Sequence, residues 1–204
     1  YRIELGTGWY TPPGVLHAPG SYLTYEPQWN SDVNSVYENI VSNEVYPYEF
    51  LVENCPEDKK FDVDYIMSLM DWEKNVDPDY RKHYFRPPIV CREDDKHIEK
   101  WVVYANDYIG AKELTVYPGQ TVVVKDQAAY GCIIIQGHGK FGVYDAEAAI
   151  MLRFGQLSAD EYFVSEKAAK EGVIVSNHSK FEPLVMLKHF ASNNPEMPKS
   201  VPGI

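Results

Sequence analysis

From residue 99 onward the chain is a succession of short apolar runs cut by Gly and Pro, and this punctuation constrains the fold more than any other feature. The runs at 100–105, 112–117, 120–125, 131–136, 140–144, 149–154, 173–177 and 183–190 each have the length of a β-strand. Tyr117-Pro118-Gly119, Gly137-His138-Gly139 and Glu182-Pro183 separate several of them. Gly supplies the positive φ of tight turns and Pro cannot donate to a ladder, so both end strands. Short strands at this spacing predict a β-sandwich or barrel. One interruption, 158–171, opens on Ser158-Ala159-Asp160-Glu161, a capping-box pattern. It predicts a short helical insertion, with a further turn at 166–170.

The first half has a different period. Thr11 to Gly20 holds two Pro–Gly punctuations around a short apolar run, which predicts turn, strand, turn; 22–26 continues as a strand. Val33, Val36, Tyr37, Ile40 and Val41 recur at helical spacing and predict an amphipathic helix over 31–42, capped by Ser31 or Asp32. Residues 46–52 read as a strand. Val63, Ile66, Met67 and Met70 predict a second helix, with Asp62 as N-cap, ending near Asn75 before Asp77-Pro78. Residues 77–98 are mixed and polar, and read as a linker.

Charge and cysteine content narrow the function classes. The net charge is -11 and no run of Lys and Arg interrupts it, which argues against nucleic acid and against an anionic membrane surface. No apolar stretch approaches about 20 residues, the length that spans a bilayer. Cys55, Cys91 and Cys132 are odd in number and lack CxxC spacing. They predict neither a disulfide framework nor a zinc knuckle, and point to a reducing compartment, the cytoplasm. The 16 Tyr suit either a pocket wall or a β-sandwich lining. Trp29 and Trp72 are open to two readings, stacking on a sugar ring or core packing. No G-x-S-x-G or P-loop pattern occurs.

The stretch Leu114-Thr115-Val116-Tyr117-Pro118-Gly119-Gln120, through Ile133-Ile134-Ile135-Gln136-Gly137-His138-Gly139, resembles the first conserved motif of the cupin superfamily. That motif has a strand ending in Pro-Gly, two His one residue apart, a Glu shortly after, an apolar strand and a Gly-x-Gly turn. The stretch Gly172 to Leu187, with Asn177 and Glu182-Pro183-Leu184, resembles the tail of the second motif. The resemblance implies a mainly β chain with a cupin (double-stranded β-helix, or jelly-roll) barrel over 99–192 and a few short helices. Its metal-ligand positions are altered. The two His positions fall in the neighbourhood of Lys125-Asp126-Gln127, the Glu position at Tyr130 or Gly131, and the last His position at Val173. Protonated Lys is a poor ligand and Val is none, so this barrel is expected to be metal-free, with Lys125, Gln127 and Tyr130 as candidate substrate-binding residues.

Trp9-Tyr10-Thr11-Pro12-Pro13-Gly14-Val15-Leu16-His17 also resembles the second cupin motif, as found in metal-dependent sugar-phosphate isomerases. On that resemblance His17 is a metal ligand; the alternative is a His hydrogen-bonded in a turn. The remaining ligands would come from before residue 1 or from a second polypeptide. None of the six His forms an HxH or HxxxH pair. The expected organisation is the C-terminal part of a bicupin. Residues 1–60 close an incomplete N-terminal cupin, 61–98 form a helix and linker, 99–192 the degenerate cupin and 193–204 a tail.

The functional expectation is a cupin enzyme with one divalent metal (Fe, Mn, Zn or Ni) in the N-terminal half, acting on a small polar metabolite. A sugar or sugar-derivative isomerase leads, with Glu26 as candidate proton carrier. The alternatives are an Fe(II) dioxygenase and a non-catalytic ligand-binding or assembly module. The resemblance also implies a homo-oligomer.

Overall fold

The computed structural model describes residues 3–18, 20–28, 33–149 and 153–203, in two compact units, residues 10–84 and residues 1–9 with 85–204. The candidate caps Ser31 and Asp32, the candidate stacking residue Trp29, and positions 150–152 of the expected strand at 149–154 lie outside the described residues.

The chain enters through β1 (Gly8–Trp9), which belongs to the larger unit. The smaller unit holds β2 (Ile40–Val41), β3 (Glu44–Val45), α1 (Glu49–Val52), a 3-10 turn at Glu57–Lys59, α2 (Val63–Ser68), α3 (Trp72–Asn75) and α4 (Tyr80–Tyr84). Its core is small: Val52, Cys55 and Ile66 are buried, with Tyr37, Leu51 and Tyr65 against them.

Where a helix is expected over 31–42, the described residues 33–38 are irregular chain leading into the β2–β3 hairpin. Ser42 and Asn43 both take positive φ, at 53° and 67°, the geometry of a tight hairpin turn. Tyr37 is held by its hydroxyl on the Ile66 carbonyl at 3.1 Å, so tertiary docking takes up the apolar residues that mimic a helical stripe. The expected helix over 62–75 is two. Asp62 caps α2 by accepting from the Tyr65 amide at 3.0 Å, and Asp71 starts α3 by accepting from the Lys74 amide at 3.1 Å. An Asp side chain competes for backbone amides, so mid-pattern it restarts a helix. Where a strand was expected at 46–52, α1 forms after Pro47.

The larger unit continues with β4 (Phe85–Arg86), which pairs with β1. It then carries β5 (Ile89–Glu93), β6 (His97–Val103), β7 (Ile109–Val116), β8 (Thr121–Val124), β9 (Tyr130–Gln136), β10 (His138–Phe141) and β11 (Tyr144–Glu147). After these come β12 (Glu161–Val164), α5 (Glu166–Glu171), β13 (Val173–Asn177) and β14 (Leu184–Ala191). The strands form two antiparallel sheets, ordered β12-β9-β14-β7-β6-β5 and β11-β10-β13-β8. Every connection from β7 to β14 changes sheet except the β10–β11 hairpin. This is the jelly-roll, or double-stranded β-helix, topology that cupins share. The fold is therefore mainly β and cupin-like, as the punctuation predicts, although the two sheets face each other without closing into one hydrogen-bonded barrel.

Of the insertion expected to be helical over 158–171, Glu161–Val164 form β12, whose Tyr162 and Val164 alternate with exposed Glu161 and Phe163, while the further turn expected at 166–170 is present as α5. The helix begins later, at α5, where Ser165 caps it by accepting from the Ala168 amide. The inner faces of the two sheets carry one core that includes Trp101, Leu114, Val124, Tyr130, Ile134, Val175, Met186 and Phe190. Burying each such side chain contributes about 1.5–3 kcal/mol. Gly139 is required where β10 meets β13: a Cβ there would lie 1.9 Å from the Ser176 carbonyl oxygen.

Candidate functional site

Inside the jelly roll, strand alternation buries charge. On β7 the inward residues are Gly110, Lys112, Leu114 and Val116; on β14 they are Leu184, Met186, Lys188 and Phe190. Lys112 and Lys188 lie directly opposite each other in the β7–β14 register. Like charges in that position repel, and the fold answers with one carboxylate. Asp126, just past the end of β8, accepts from Lys112 Nζ at 2.6 Å through Oδ1 and from Lys188 Nζ at 2.7 Å through Oδ2. On β6, Glu99 pairs with Lys188 through Oε1 and accepts from Arg92 Nη1 at 2.9 Å through Oε2, which also lies 3.7 Å from Lys112 Nζ. The side chains of Glu99, Asp126, Lys112 and Lys188 are 0–1% exposed.

Aromatic rings wall this cluster. Lys112 Nζ lies 4.7 Å from the Trp101 ring centre and 5.5 Å from that of Phe190, and Lys188 Nζ lies 5.1 Å from that of Tyr130. Ammonium groups gain from the negative faces of such rings, more so when desolvated. Burial alone would push the Lys112 pKa down; Glu99 and Asp126 outweigh it and hold its ammonium above the ordinary lysine value. At the mouth, Glu196 accepts from Lys112 Nζ at 3.2 Å and lies 3.7 Å from Arg92 Nη2. The cluster thus balances Arg92, Lys112 and Lys188 against Glu99, Asp126 and Glu196.

The residues do not fit a divalent metal. The inner carboxylates are engaged by ammonium and guanidinium groups, and two buried cations repel a third. Among the described residues no group of three or more His, Cys, Asp or Glu is placed to hold an ion.

Val122 and Val124 are buried, and the alternation continues through Asp126, Ala128 and Tyr130, leaving Lys125 and Gln127 exposed. Tyr130 is in the interior, 1% exposed, and its hydroxyl has no hydrogen-bond partner among the described residues. Burial pushes its phenol well above the ordinary tyrosine range, with the Asp126 charge adding to it. Sequence reasoning missed Arg92, Glu99, Lys112, Asp126, Lys188 and Glu196. For Lys112, Lys188, Glu99 and Asp126 the available signal is a polar residue on the inward phase of an otherwise apolar run.

His17 lies in the smaller unit after a turn built on Pro12, Pro13 and Gly14. Gly14 takes φ 77°, and its carbonyl accepts from the Asp71 amide at 2.9 Å and from Asn75 Nδ2 at 2.8 Å. His17 is exposed, and its Nδ1 donates to the Val15 carbonyl at 3.0 Å, which leaves Nε2 as the ring nitrogen able to accept. Glu26 is exposed and accepts from the Thr24 hydroxyl at 2.9 Å. An open cleft of about 470 Å³ in the same unit is lined by Lys74, Asp77, His83 and Tyr84. In it, His83 Nδ1 lies 2.6 Å from Asp77 Oδ2, and this contact is the largest cause holding the Asp77 carboxyl below its usual range. Among the described residues no helix is long and apolar enough to cross a membrane.

No protein-family model and no curated protein matches the sequence. Solved structures similar to it include the oxalate decarboxylase of Lactobacillus farciminis, captured as a formate complex. It is 22% identical with a TM-score of 0.38, over 55% of this chain and 32% of that one. An RmlC-like cupin from Ralstonia eutropha is 10% identical with a TM-score of 0.37, over 52% of this chain and 62% of that one. A cupin-2 domain from Rhodospirillum rubrum is 15% identical with a TM-score of 0.36, over 56% of this chain and 74% of that one. Against an anti-sigma complex structure and the oxalate decarboxylase, the match spans less than half of the other chain, 46% and 32%. With TM-scores below 0.5 these likenesses carry no argument, and the strand order carries the fold.

Proposed function

We propose that the jelly roll is a non-catalytic binding module of cupin-like fold that works without a metal. The observation that carries this reading is Asp126, buried between two facing lysines with both carboxylate oxygens taken. An interior of that kind is electrostatically complete and disfavours an added cation, and the buried Tyr130 hydroxyl, unpaired among the described residues, is the polar group left for a small polar guest. The test is metal analysis of the purified chain beside Asp126→Asn and Tyr130→Phe variants. The reading expects no metal that depends on Asp126 or Tyr130. Stoichiometric metal lost on either substitution contradicts it.

A second reading has its own observation. A ligating His usually donates one ring N–H to a carbonyl and offers the other nitrogen to the metal, and His17 has that arrangement with Val15. On this reading His17 is one ligand of a divalent metal completed by residues beyond this chain, by a second polypeptide or by another copy. Such a site would serve a small polar metabolite, a sugar or sugar-derivative isomerisation first, with Glu26 moving the proton, or Fe(II) oxygen chemistry. Bound metal that disappears in His17→Ala supports it, and metal content unchanged by that substitution removes it.

A further inference from the structure

The C-terminal segment brings the last carboxylate to the cluster in a manner unlike the others. Glu99 stands on a strand and Asp126 lies two residues past the end of one, both with side chains at 0% exposure, whereas Glu196 arrives on a loop with its side chain 35% exposed. Two turns set that loop. The Met197 amide donates to the Asn194 carbonyl at 3.2 Å, and the Asn194 side-chain oxygen accepts from the Glu196 amide at 2.9 Å. Met197, 2% exposed, is seated against Gly110 and Trp101: a Cβ on Gly110 would lie 2.7 Å from its sulfur and 3.1 Å from the indole. The Ala105 amide then donates to the Pro198 carbonyl at 3.0 Å.

We infer that Asn194–Pro198 is a strap across the mouth of the jelly roll, and that the Glu196 carboxylate fills a position in which the module takes a small free carboxylate. Without Glu196 the cluster has three cations, Arg92, Lys112 and Lys188, against two carboxylates. Lys112 keeps an N–H aimed at the mouth, and the Arg92 guanidinium beside it offers the planar fork that suits carboxylates. The buried Tyr130 hydroxyl, on the ring that faces Lys188 Nζ, is unpaired among the described residues and is a second polar group for a guest to satisfy. An unmade hydrogen bond of that kind is costly, so a polar guest is favoured there. The strap competes with the guest because both need the same face of Lys112.

This inference rests on reading the jelly roll as a metal-free binding module. Its test is acetate binding, followed by saturation transfer to the acetate methyl protons at fixed ionic strength with chloride as the balancing anion. Full-length wild type, Glu196→Gln and Glu196→Ala are compared. The side-chain amide keeps the volume and hydrogen bonds of the strap, and the Ala variant covers a residual block by the amide. Saturable acetate binding in either variant, at least tenfold tighter than in wild type, is the expected result. Equal binding in all three, or none in both variants, overturns the strap. Metal content is read separately, so a metal in the jelly roll would overturn the underlying reading, whereas a metal-free protein indifferent to acetate overturns the strap alone.

Discussion

Lys112 and Lys188 face each other across neighbouring antiparallel strands, fully buried, with one carboxylate, Asp126, holding both ammonium groups. Two lysines in that position are tolerable only while the carboxylates stay ionised beside them, since an uncompensated buried charge costs several kcal/mol. The same alternation that turns these lysines inward turns Lys125 outward. Reductive methylation of the native protein, mapped by mass spectrometry, is therefore expected to modify Lys125 and to spare Lys112 and Lys188 until the chain is unfolded.

The lysine pair also sets behaviour in alkali. The Lys112 pKa is raised in the folded state, so its contribution to stability is complete below about pH 10.4, the unfolded value. It is lost as the pH rises through the folded value. Unfolding midpoints in urea are expected to stay level to about pH 10 and then to fall. A Lys112→Met variant, destabilised at neutral pH, should show a flatter decline.

His189 gives the opposite dependence. Its ring lies across Gly131 on the next strand, where a Cβ would meet Nε2 at 2.0 Å. Burial lowers its pKa, with Glu161 pulling weakly the other way. The unfolded chain then binds the proton more readily, so stability is complete above about pH 6.5 and falls as the pH drops through the folded value. His189→Gln should remove that part of the acid slope between pH 7 and pH 5. Gly131→Ala should cost about 1–3 kcal/mol by overpacking.

The thiols are expected to be inert in the native protein. Cys91 is exposed on the edge strand β5, but desolvation of its thiol and the Glu99 charge beside it push it up to about 11; burial pushes Cys132 up to about 12, and Cys55 is buried at 7% exposure. The thiolate is the reacting species, and at pH 7.5 well under about 1% of a thiol with such a pKa is ionised. Alkylation by iodoacetamide should be slow until denaturant is added, and then reach all three. Rapid native labelling of Cys91 would contradict its hydrogen bond to the Glu99 carbonyl at 3.3 Å.

The jelly-roll strands were legible because their apolar runs and Gly–Pro breaks are local signals. The expected run at 173–177 coincides with β13, and 183–190 with β14 to within one residue. β5 looks like linker in the sequence because Ile89–Glu93 is an edge strand with polar residues on it, and its pairing with β6 is tertiary information. The site was legible in part. Tyr130 is interior, but counting motif spacing drew attention to Lys125 and Gln127, whereas the alternation from Val122 and Val124 selects Asp126 between them. Lys112 and Lys188 occupy inward phases beside Leu114 and Met186, a signal present in the sequence that motif matching passes over. Nothing local marks Glu196 as their companion, because a loop 84 residues after Lys112 delivers it.

Equilibrium unfolding of Asp126→Asn in urea at pH 7 tests whether Asp126 is what allows two lysines to face each other inside the jelly roll. The amide keeps the shape and removes the charge, leaving the lysine pair with Glu99 and Glu196 alone. A loss of about 3–5 kcal/mol with an unchanged dependence on denaturant is expected. A loss below about 1 kcal/mol, the scale of an exposed surface ion pair, would contradict that role of Asp126.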